Sequence, residues 1–195
     1  LIESYQHLKA KNFPKSIIAI RDAKYDVLNF PPNNKKEWKF LYPIHYGDLV
    51  YQHASKNGID PLLAQALMKE ESYFNHKAVS FSNAYGLMQL LPSTAKNVAH
   101  WEKMENFTQT DLFDPEINIQ LGTRYLKYTH DFFENNSMLA VAAYNGGAGS
   151  VSEWIKSLDH RDWDEFVENI PYDETRNYIR KVFSSYWNYK EIYAQ

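Results

Sequence analysis

One amphipathic helix is predicted by the sequence Asp60-Pro61-Leu62-Leu63-Ala64-Gln65-Ala66-Leu67-Met68-Lys69-Glu70-Glu71. Aspartate is a favourable N-cap, and proline at the first helical position already has the backbone angle that a helix needs. At about 100° per residue, the apolar side chains share one arc, with Glu71 near its centre and Glu70 at its margin, whereas Gln65 and Lys69 lie opposite. The pattern predicts a helix from Asp60 to about Phe74 that directs one carboxyl group into an apolar surface.

Glu71 is the candidate general acid of this sequence. An apolar environment disfavours the charged form of a carboxyl group and therefore raises its pKa. A carboxyl group with a raised pKa holds a proton near neutral pH and can donate it to a substrate. A structural role, in which the carboxyl group reaches back to solvent, is the alternative that this spacing alone leaves open.

The rest of the chain carries helical patterns from Tyr46 onward, without the two-residue alternation of strands. Helical signals cover residues 48–56, 84–90, 93–98, 114–133, 138–144, 151–158, 163–168 and 174–189. Residues 1 to about 30 are predicted to form two short helices, prolines and asparagines at 31–34 predict a linker, and 35–40 predict a short charged approach to Tyr42-Pro43. The predicted fold class is therefore all-α.

Composition limits the kinds of partner. The 195 residues suffice for one domain with an appendage, and the net charge of −3 gives no electrostatic reason to expect nucleic acid or an anionic membrane. No apolar run reaches the length of about 18 residues that a membrane span requires. The chain begins at Leu1 without a signal peptide, so we expect a piece of a longer protein.

Several other kinds of catalytic site lack support. The seven histidines are scattered and cysteine is absent, so neither a metal nor a cofactor is predicted. Serine catalysis lacks its Gly-x-Ser-x-Gly turn, and the glycines at 146, 147 and 149 lack the lysine and the preceding strand of a phosphate-binding loop. The fifteen Tyr, eleven Phe and five Trp are predicted to pack mostly in the core, with a few lining a carbohydrate groove.

Four short motifs, in this order and spacing, resemble those of the soluble lytic transglycosylases of bacterial cell walls. They are Glu71-Ser72-Tyr73-Phe74-Asn75, Gly86-Leu87-Met88-Gln89-Leu90, Ala143-Tyr144-Asn145-Gly146-Gly147 and Ile170-Pro171-Tyr172-Asp173-Glu174-Thr175-Arg176-Asn177-Tyr178. The resemblance covers about residues 43 to 190. It implies a lysozyme-like catalytic domain of the glycoside hydrolase family 23 type over residues 46–195, preceded over residues 1–45 by a helical linker at the end of a helical superhelix.

The resemblance also implies roles for the residues of the first two motifs. Glu71 is the implied catalytic acid, and Ser72 is paired with it. The Ser72 hydroxyl could bond the Glu71 carboxyl group or a substrate acetamido group, and a serine that only ends the helix is the alternative. The second motif is implied as one wall of the sugar cleft, whereas its residues alone favour an ordinary turn that enters a helix. There Gln89 would bond a saccharide hydroxyl or amide, and Met88 would pack on the saccharide.

The third and fourth motifs contribute supporting residues by the same resemblance. Tyr144 is implied to orient the acid through a hydrogen bond, and Asn145 to contact the substrate. Glu174 is implied to support the site from across the cleft. For Arg176 the residues alone leave open a salt bridge with Glu174 or a contact with the substrate. Tyr178 is included as a further supporting residue of the site.

The activity that the resemblance implies is cleavage of the β-1,4 bond between N-acetylmuramic acid and N-acetylglucosamine in peptidoglycan. Glu71 would protonate the glycosidic oxygen and then take the proton of the muramyl C6 hydroxyl, which closes a 1,6-anhydro ring without water. A goose-type lysozyme, which adds water, and an inactive glycan-binding module are the alternatives. The implied partners are peptidoglycan glycan strands in the periplasm or cell envelope, without nucleic acid, membrane span or cofactor. Proteins of cell-wall synthesis or division are left open as further partners.

Overall fold

A computed structural model describes Lys15 and residues 35–159 and 162–194 of the chain. Its helices are α1 (Lys35–Leu41), α2 (Gly47–Lys56), α3 (Pro61–Ser72), α4 (Pro92–Trp101), α5 (Pro115–Phe132), α6 (Ser137–Gly146), α7 (Ala148–Ser157), α8 (Trp163–Glu168) and α9 (Asp173–Tyr193), with a 3-10 helix at Gln109–Phe113. The predicted all-α class is confirmed. The helices predicted within residues 1–30 and the linker at 31–34 lie outside the described residues, apart from the helical Lys15.

The start and end of α3 follow from local chemistry. Asp60 Oδ1 accepts a hydrogen bond from the backbone N–H of Leu62 at 2.8 Å, as an N-cap does. The helix ends at Ser72, two residues before the predicted end, because Tyr73 and Phe74 both adopt left-handed backbone angles with φ of 48° and 63°. Such angles cost a residue with a side chain about 1–2 kcal/mol, so surrounding contacts must hold this turn in place.

Helix α3 is buried on almost all sides, including the side that carries Gln65 and Lys69. Gln65 and Lys69 lie opposite the apolar arc, yet both are buried, because α9 and the segment before α2 cover that face. Gln65 Nε2 donates to the carbonyl oxygen of His45 at 3.0 Å. Lys69 Nζ lies 2.7 Å from Glu70 Oε1 and 3.0 Å from Ser185 Oγ on α9. Polar side chains therefore join α3 to its neighbours.

Helix α6 forms the centre of the core, as its almost wholly apolar sequence predicts. Residues 139–144 are buried, and α6 packs against α5, α7 and α9. Asn136 caps its start by accepting hydrogen bonds from Met138 N at 3.0 Å and Leu139 N at 3.1 Å. Its last turn carries Tyr144 and Asn145. A rigid helix thus holds both side chains of the third motif.

The helical signal at residues 84–90 was wrong, because this segment is a compact turn. Isolated antiparallel bridges pair Val79 with Tyr85 and Tyr85 with Leu90. Gly86 and Gln89 have positive φ angles of 77° and 45°, which interrupt any helical path. The second motif is therefore a folded loop that lies between α3 and α4. Across the described residues, every helix is too short or too polar to cross a bilayer.

Candidate active site

Glu71 lies in the last turn of α3, and its side chain is only partly accessible to solvent. Burial raises its pKa to about 8, because a desolvated carboxylate is disfavoured. A hydrogen bond from Tyr178 opposes this shift, and the negative charges of Glu174 and Glu70 add to it. Desolvation is the largest of these effects. The Glu71 carboxyl group is therefore protonated at neutral pH.

Two buried phenols flank this carboxyl group. Tyr178, on α9, donates its hydroxyl hydrogen to Glu71 Oε1 at 2.5 Å. Burial raises the pKa of Tyr178 and of Tyr144 well above the usual value, and the charge of Glu71 adds to both shifts. Both phenols therefore stay protonated and act as hydrogen-bond donors across the pH range in which Glu71 titrates.

The orienting hydrogen bond comes from a different tyrosine than predicted. Tyr144 donates to the carbonyl oxygen of Met88 at 2.9 Å, so its predicted bond to Glu71 is wrong. Tyr178, on α9, forms that bond instead. The two tyrosines belong to different motifs, and sequence spacing could not distinguish which one reaches the acid. Tyr144 instead fixes the loop that carries Met88.

Ser72 also holds the loop of the second motif. Its hydroxyl donates to the carbonyl oxygen of Leu87 at 2.8 Å, and the carbonyl oxygen of Met68 lies 3.3 Å away. The predicted hydrogen bond from Ser72 to the Glu71 carboxyl group is therefore wrong. The residue next to the acid ties the end of α3 to the neighbouring wall of the site.

Asn118, on α5, is a residue of the site that sequence reasoning missed. It is fully buried, and its Nδ2 donates to the carbonyl oxygens of Tyr85 and Leu112, both at 2.9 Å. Its Oδ1 accepts from the backbone N–H of Met88 at 2.8 Å. A signal for it exists in the sequence, because an asparagine between Ile117 and Ile119 on an apolar helix needs buried hydrogen-bond partners.

Gly86 is required at its position by close contact with this asparagine. A Cβ atom at Gly86 would lie 2.1 Å from the carbonyl oxygen of Leu112 and 2.2 Å from Asn118 Nδ2. The positive φ of Gly86 also disfavours any other residue. The glycine therefore allows α5 to approach the loop closely enough to bond it.

The two predicted wall residues differ in exposure. Gln89 is partly exposed, and its Nε2 donates to the carbonyl oxygens of Gly86 at 2.8 Å and Ala78 at 3.3 Å. Met88 is buried, and a Cβ atom at Gly122 of α5 would lie 2.4 Å from its sulfur. The predicted packing of Met88 on a saccharide is therefore wrong, since its side chain packs in the core.

The remaining predicted residues lie where α6 meets the start of α9. Asn145 is partly buried, and its Oδ1 accepts a hydrogen bond from Thr175 Oγ1 at 2.7 Å. Glu174 is exposed, yet its charge raises the pKa of Glu71. The predicted salt bridge between Arg176 and Glu174 is wrong, because Arg176 pairs with Asp173. Arg176 also donates to the carbonyl oxygen of Ile170 at 2.8 Å, which anchors the fourth motif.

The arrangement suits general acid chemistry at a single carboxyl group. A protonated, partly accessible acid stands beside two phenols and a loop with a partly exposed amide side chain. Within residues 35–159 and 162–194, no group of three or more acidic or histidine side chains is placed to hold a metal ion.

Comparison with known proteins identifies the domain. The Transglycosylase SLT domain family matches residues 48–167. The soluble lytic murein transglycosylase of Escherichia coli K12 is 37% identical over 161 residues, covering 79% of this chain and 25% of that protein. A putative soluble lytic murein transglycosylase of Haemophilus influenzae is 39% identical over 151 residues, covering 75% of this chain and 26% of that protein. The chain thus spans about a quarter of the length of these relatives.

Solved structures agree with this match. The 70 kDa soluble lytic transglycosylase of Escherichia coli superposes with a TM-score of 0.87 at 30% identity, over 99% of this chain and 30% of that one. An inactive mutant of the lytic transglycosylase Slt from Pseudomonas aeruginosa gives a TM-score of 0.86 at 30% identity, over 97% of this chain and 29% of that one. The predicted lysozyme-like helical fold is confirmed. By sequence and by fold, the chain belongs to the transglycosylase SLT domain family.

Proposed function

We propose that residues 46–195 are the catalytic domain of a peptidoglycan lytic transglycosylase, which cleaves the β-1,4 bond between N-acetylmuramic acid and N-acetylglucosamine. The observation that carries this proposal is Glu71, whose raised pKa of about 8 keeps it protonated at neutral pH while its side chain remains partly accessible. The names of the relatives, soluble lytic murein transglycosylases, support peptidoglycan as the substrate. They also support the periplasm or cell envelope as its location.

The proposed reaction uses the same carboxyl group twice. Glu71 donates its proton to the glycosidic oxygen as that bond breaks, which leaves a carboxylate and an oxocarbenium-like muramyl residue. The carboxylate then takes the proton of the muramyl C6 hydroxyl, and the C6 oxygen bonds to C1 to close the 1,6-anhydro ring. Tyr178 stabilises the intermediate carboxylate, because a hydrogen bond to a charged acceptor is stronger than one to a neutral acceptor.

Ring closure within the substrate removes the need for a second carboxylate that activates water. Two other carboxylates have charges that reach Glu71. Glu70 Oε1 accepts hydrogen bonds from Lys69 at 2.7 Å and from Ser185 at 2.6 Å, so this group is occupied. Glu174 is exposed, and in the proposal it keeps the pKa of Glu71 high rather than acting as a base.

Substrate contacts are proposed for Gln89 and Asn145. Both side chains are partly accessible. One end of each amide group forms a hydrogen bond with a neighbouring residue. The Gln89 amide oxygen and the Asn145 amide nitrogen are the ends that these bonds leave for sugar hydroxyl and acetamido groups. Ser72, Met88 and Tyr144 are proposed to support the reaction indirectly, by holding the loop that carries Gln89.

Residues 1–45 are proposed to connect this domain to a preceding helical region. Tyr193 and Tyr189, near the end of α9, donate hydrogen bonds to the carbonyl oxygens of Tyr42 at 2.8 Å and Pro43 at 2.9 Å. These contacts hold the segment that enters the domain against the last helix. They support a fixed orientation for this entry segment on the domain.

The decisive experiment is digestion of peptidoglycan in water enriched in heavy oxygen, followed by mass analysis of the products. A transglycosylase gives 1,6-anhydro ends without the label, whereas a goose-type lysozyme incorporates one solvent oxygen into a reducing end. An inactive glycan-binding module gives no products. Labelled products that borohydride reduces would overturn the proposal and make Glu174 and Asp173 the first candidates for the base.

The Glu71→Gln variant is the control for this experiment. Glutamine keeps the shape of the side chain but cannot transfer a proton, so the rate should fall at least ~10²–10⁴-fold, as is typical of lost acid–base catalysis. The solved Pseudomonas aeruginosa structure is an inactive mutant with glutamine in place of a glutamate, which supports this choice. Full activity in Glu71→Gln would show that another group is the acid.

A further inference from the structure

Two glutamates follow one another at the end of α3, and their surroundings differ in charge. Lys69 Nζ lies 2.7 Å from Glu70 Oε1, and both of these side chains are almost fully buried. Glu71 instead accepts a hydrogen bond from the phenol of Tyr178, which is neutral. The charged groups that shift the pKa of Glu71 are both carboxylates. A cation therefore stands beside Glu70, whereas Glu71 has a neutral donor.

A hydroxyl group from α9 completes the surroundings of Glu70. Ser185 Oγ donates to Glu70 Oε1 at 2.6 Å, and Lys69 Nζ donates to Ser185 Oγ at 3.0 Å. Ser185 is itself buried. Hydrogen bonds to a carboxylate, above all from a cation, stabilise its charged form. This triangle of side chains therefore holds Glu70 as a carboxylate.

Aromatic rings enclose the Lys69 ammonium group. Its Nζ lies 4.9 Å from the centroid of the Tyr42 ring, in the entry segment, and 5.6 Å from that of Tyr73. Contacts of this kind stabilise an ammonium group. Burial raises the pKa of Tyr42 to about 12 and that of Tyr189, on α9, well above the usual value, so both phenols stay neutral. The positive charge of Lys69 is therefore balanced by Glu70 alone among these groups.

The proposed reaction needs its proton on one particular carboxyl group. Neighbouring carboxyl groups with little access to water interact strongly and share a proton unless their surroundings differ. A proton on Glu70 would be lost to the reaction, because Lys69 and Ser185 already occupy that group. We propose that Lys69 is a positioning residue that keeps the catalytic proton on Glu71 by holding Glu70 in its charged form. This inference rests on the proposed function, in which Glu71 is the acid.

The charge held on the neighbouring glutamate also favours the proton on Glu71. That charge raises the pKa of Glu71, as does the charge of Glu174 at the start of α9. The hydrogen bond from Tyr178 opposes both, and burial keeps Tyr144, on α6, neutral. Lys69 therefore acts on the acid through the residue between them.

Carbon NMR of protein that carries isotope-labelled glutamate reads the charge of each carboxyl group separately. In the unchanged protein, the Glu70 signal should stay at its carboxylate position from about pH 6 to about pH 9, whereas the Glu71 signal should titrate near its pKa of about 8. In Lys69→Met both signals should titrate, because the two groups then share the proton. Glu70→Gln and Glu71→Gln assign the signals. A Glu70 signal that titrates with Glu71 in the unchanged protein would overturn the inference, whether or not the variants fold.

The pH dependence of kcat/KM gives the functional counterpart. Lys69→Met should keep its activity at about pH 5, where both carboxyl groups hold a proton, and lose at least about half of it at about pH 7, where they share one. Adding Glu70→Gln should restore the ratio of the two rates, because glutamine takes up no proton. Lys69→Arg keeps a cation and should keep the profile of the unchanged protein. Rates are divided by the folded fraction that circular dichroism measures at the same pH.

A matched control separates this role from a general effect of charge. Lys96→Met removes an exposed lysine on α4 and should leave the ratio of the rates at the two pH values unchanged. A purely structural role of Lys69 would lower the corrected rate of Lys69→Met equally at both pH values. That result, or an unchanged ratio in Lys69→Met, would overturn the inference.

The NMR titration also distinguishes this inference from the proposed function. If Glu70 stays charged and Lys69→Met makes it titrate, but digests give hydrolytic products, the proposed reaction fails and the role of Lys69 stands. If 1,6-anhydro products form but Glu70 titrates together with Glu71 in the unchanged protein, the role of Lys69 fails alone.

Discussion

Tyr178 donates its phenolic hydrogen to Glu71 Oε1 at 2.5 Å, although 107 positions separate the two residues in the sequence. The bond joins the end of α3 to α9 and favours the charged form of the carboxyl group. Desolvation favours the neutral form and prevails, so the pKa of Glu71 rises to about 8. Two opposing effects therefore determine the pKa of Glu71, and mutations can separate them.

Tyr178→Phe and Glu174→Gln should shift the pH dependence of activity in opposite directions. The rate falls at high pH as Glu71 loses its proton. Tyr178→Phe removes a hydrogen bond that lowers the Glu71 pKa, so this fall should move to higher pH. Glu174→Gln removes a negative charge that raises the Glu71 pKa, so the fall in rate should move to lower pH. This shift should be smaller than that of Tyr178→Phe, because Glu174 is exposed to solvent. Profiles of kcat/KM over about pH 6 to about pH 10 measure both shifts. Shifts of the same sign would contradict this account of the site.

Glu71→Gln should stabilise the fold at high pH and leave it unchanged at low pH. The folded-state pKa of about 8 lies above the ordinary value of 4.5, so the folded state binds the proton more tightly than the unfolded state. Stability therefore falls as pH rises from about 4.5 through about 8, and a neutral glutamine avoids this loss. We expect a gain of about 1–3 kcal/mol at pH above ~8, after allowance for the partial exposure of Glu71. Urea unfolding at both ends of this range measures it, and a gain independent of pH would argue against a raised pKa.

Asn118→Ala should be among the most destabilising substitutions of a polar residue. It leaves the Leu112 carbonyl oxygen and the Met88 N–H without their partner in a buried environment, whereas the Tyr85 carbonyl oxygen keeps its hydrogen bond from the Leu90 N–H at 3.1 Å. An unsatisfied buried group costs about 1–3 kcal/mol, so we expect a total loss of ~3–5 kcal/mol in the free energy of unfolding. Asn97→Ala, an exposed asparagine on α4, is the control and should change stability by less than about 0.5 kcal/mol. A small effect of Asn118→Ala would show that the loop holds its shape independently.

Tyr144→Phe should lower stability and turnover without moving the pH profile. The variant loses the hydrogen bond to the Met88 carbonyl oxygen, which is worth ~0.5–1.5 kcal/mol, and it loosens the loop that carries Gln89. Tyr144 is not among the groups that shift the Glu71 pKa, so the alkaline fall in activity should stay in place. Thermal unfolding and the same pH series used for Tyr178→Phe provide the measurements. A shifted profile would restore Tyr144 as a partner of the acid.

Lys69→Met should destabilise the domain strongly, and Glu70→Gln in the same chain should reverse most of that loss. Only 10% of the Lys69 side chain and 8% of the Glu70 side chain are exposed to solvent, and Lys69 Nζ lies 2.7 Å from Glu70 Oε1. Removal of one partner leaves a buried charge, which costs about 3–5 kcal/mol, whereas removal of both charges avoids that cost. Chemical denaturation of the two variants measures the difference. If the double variant is no more stable than Lys69→Met, the pair is not coupled as its geometry indicates.

The sequence was sufficient for features set by local chemistry. The N-cap at Asp60, the apolar period of α3 and the apolar run of α6 depend on neighbours a few residues away, so their patterns are visible in the chain itself. These elements carry Glu71, Tyr144 and Asn145. The resemblance of four motifs then supplied the fold that joins them, and the candidate acid has the raised pKa that its apolar surroundings predict.

Contacts between distant segments could not be deduced in this way. Tyr144 and Tyr178 have the same side chain, and only the packing of α9 against α3 determines which hydroxyl meets the acid. The burial of Lys69 depends on α9, and the pattern of its own helix does not show that α9 covers it. The apolar spacing at 84–90 fits a helix, but it fits equally well a turn that is held from outside. The hydrogen bond with Asn118, on another helix, determines which of the two forms.

The contact between Gly86 and Asn118 has a consequence for protein engineering. The short motif that contains Gln89 keeps its shape only because an amide from another helix occupies the space that a side chain at Gly86 would fill. Transplanting the motif into a different helical scaffold would therefore fail unless the first turns of α5 were transferred with it. The smallest portable unit is a loop together with the helix that clamps it, and designs that copy only contiguous sequence would lose the wall of the site.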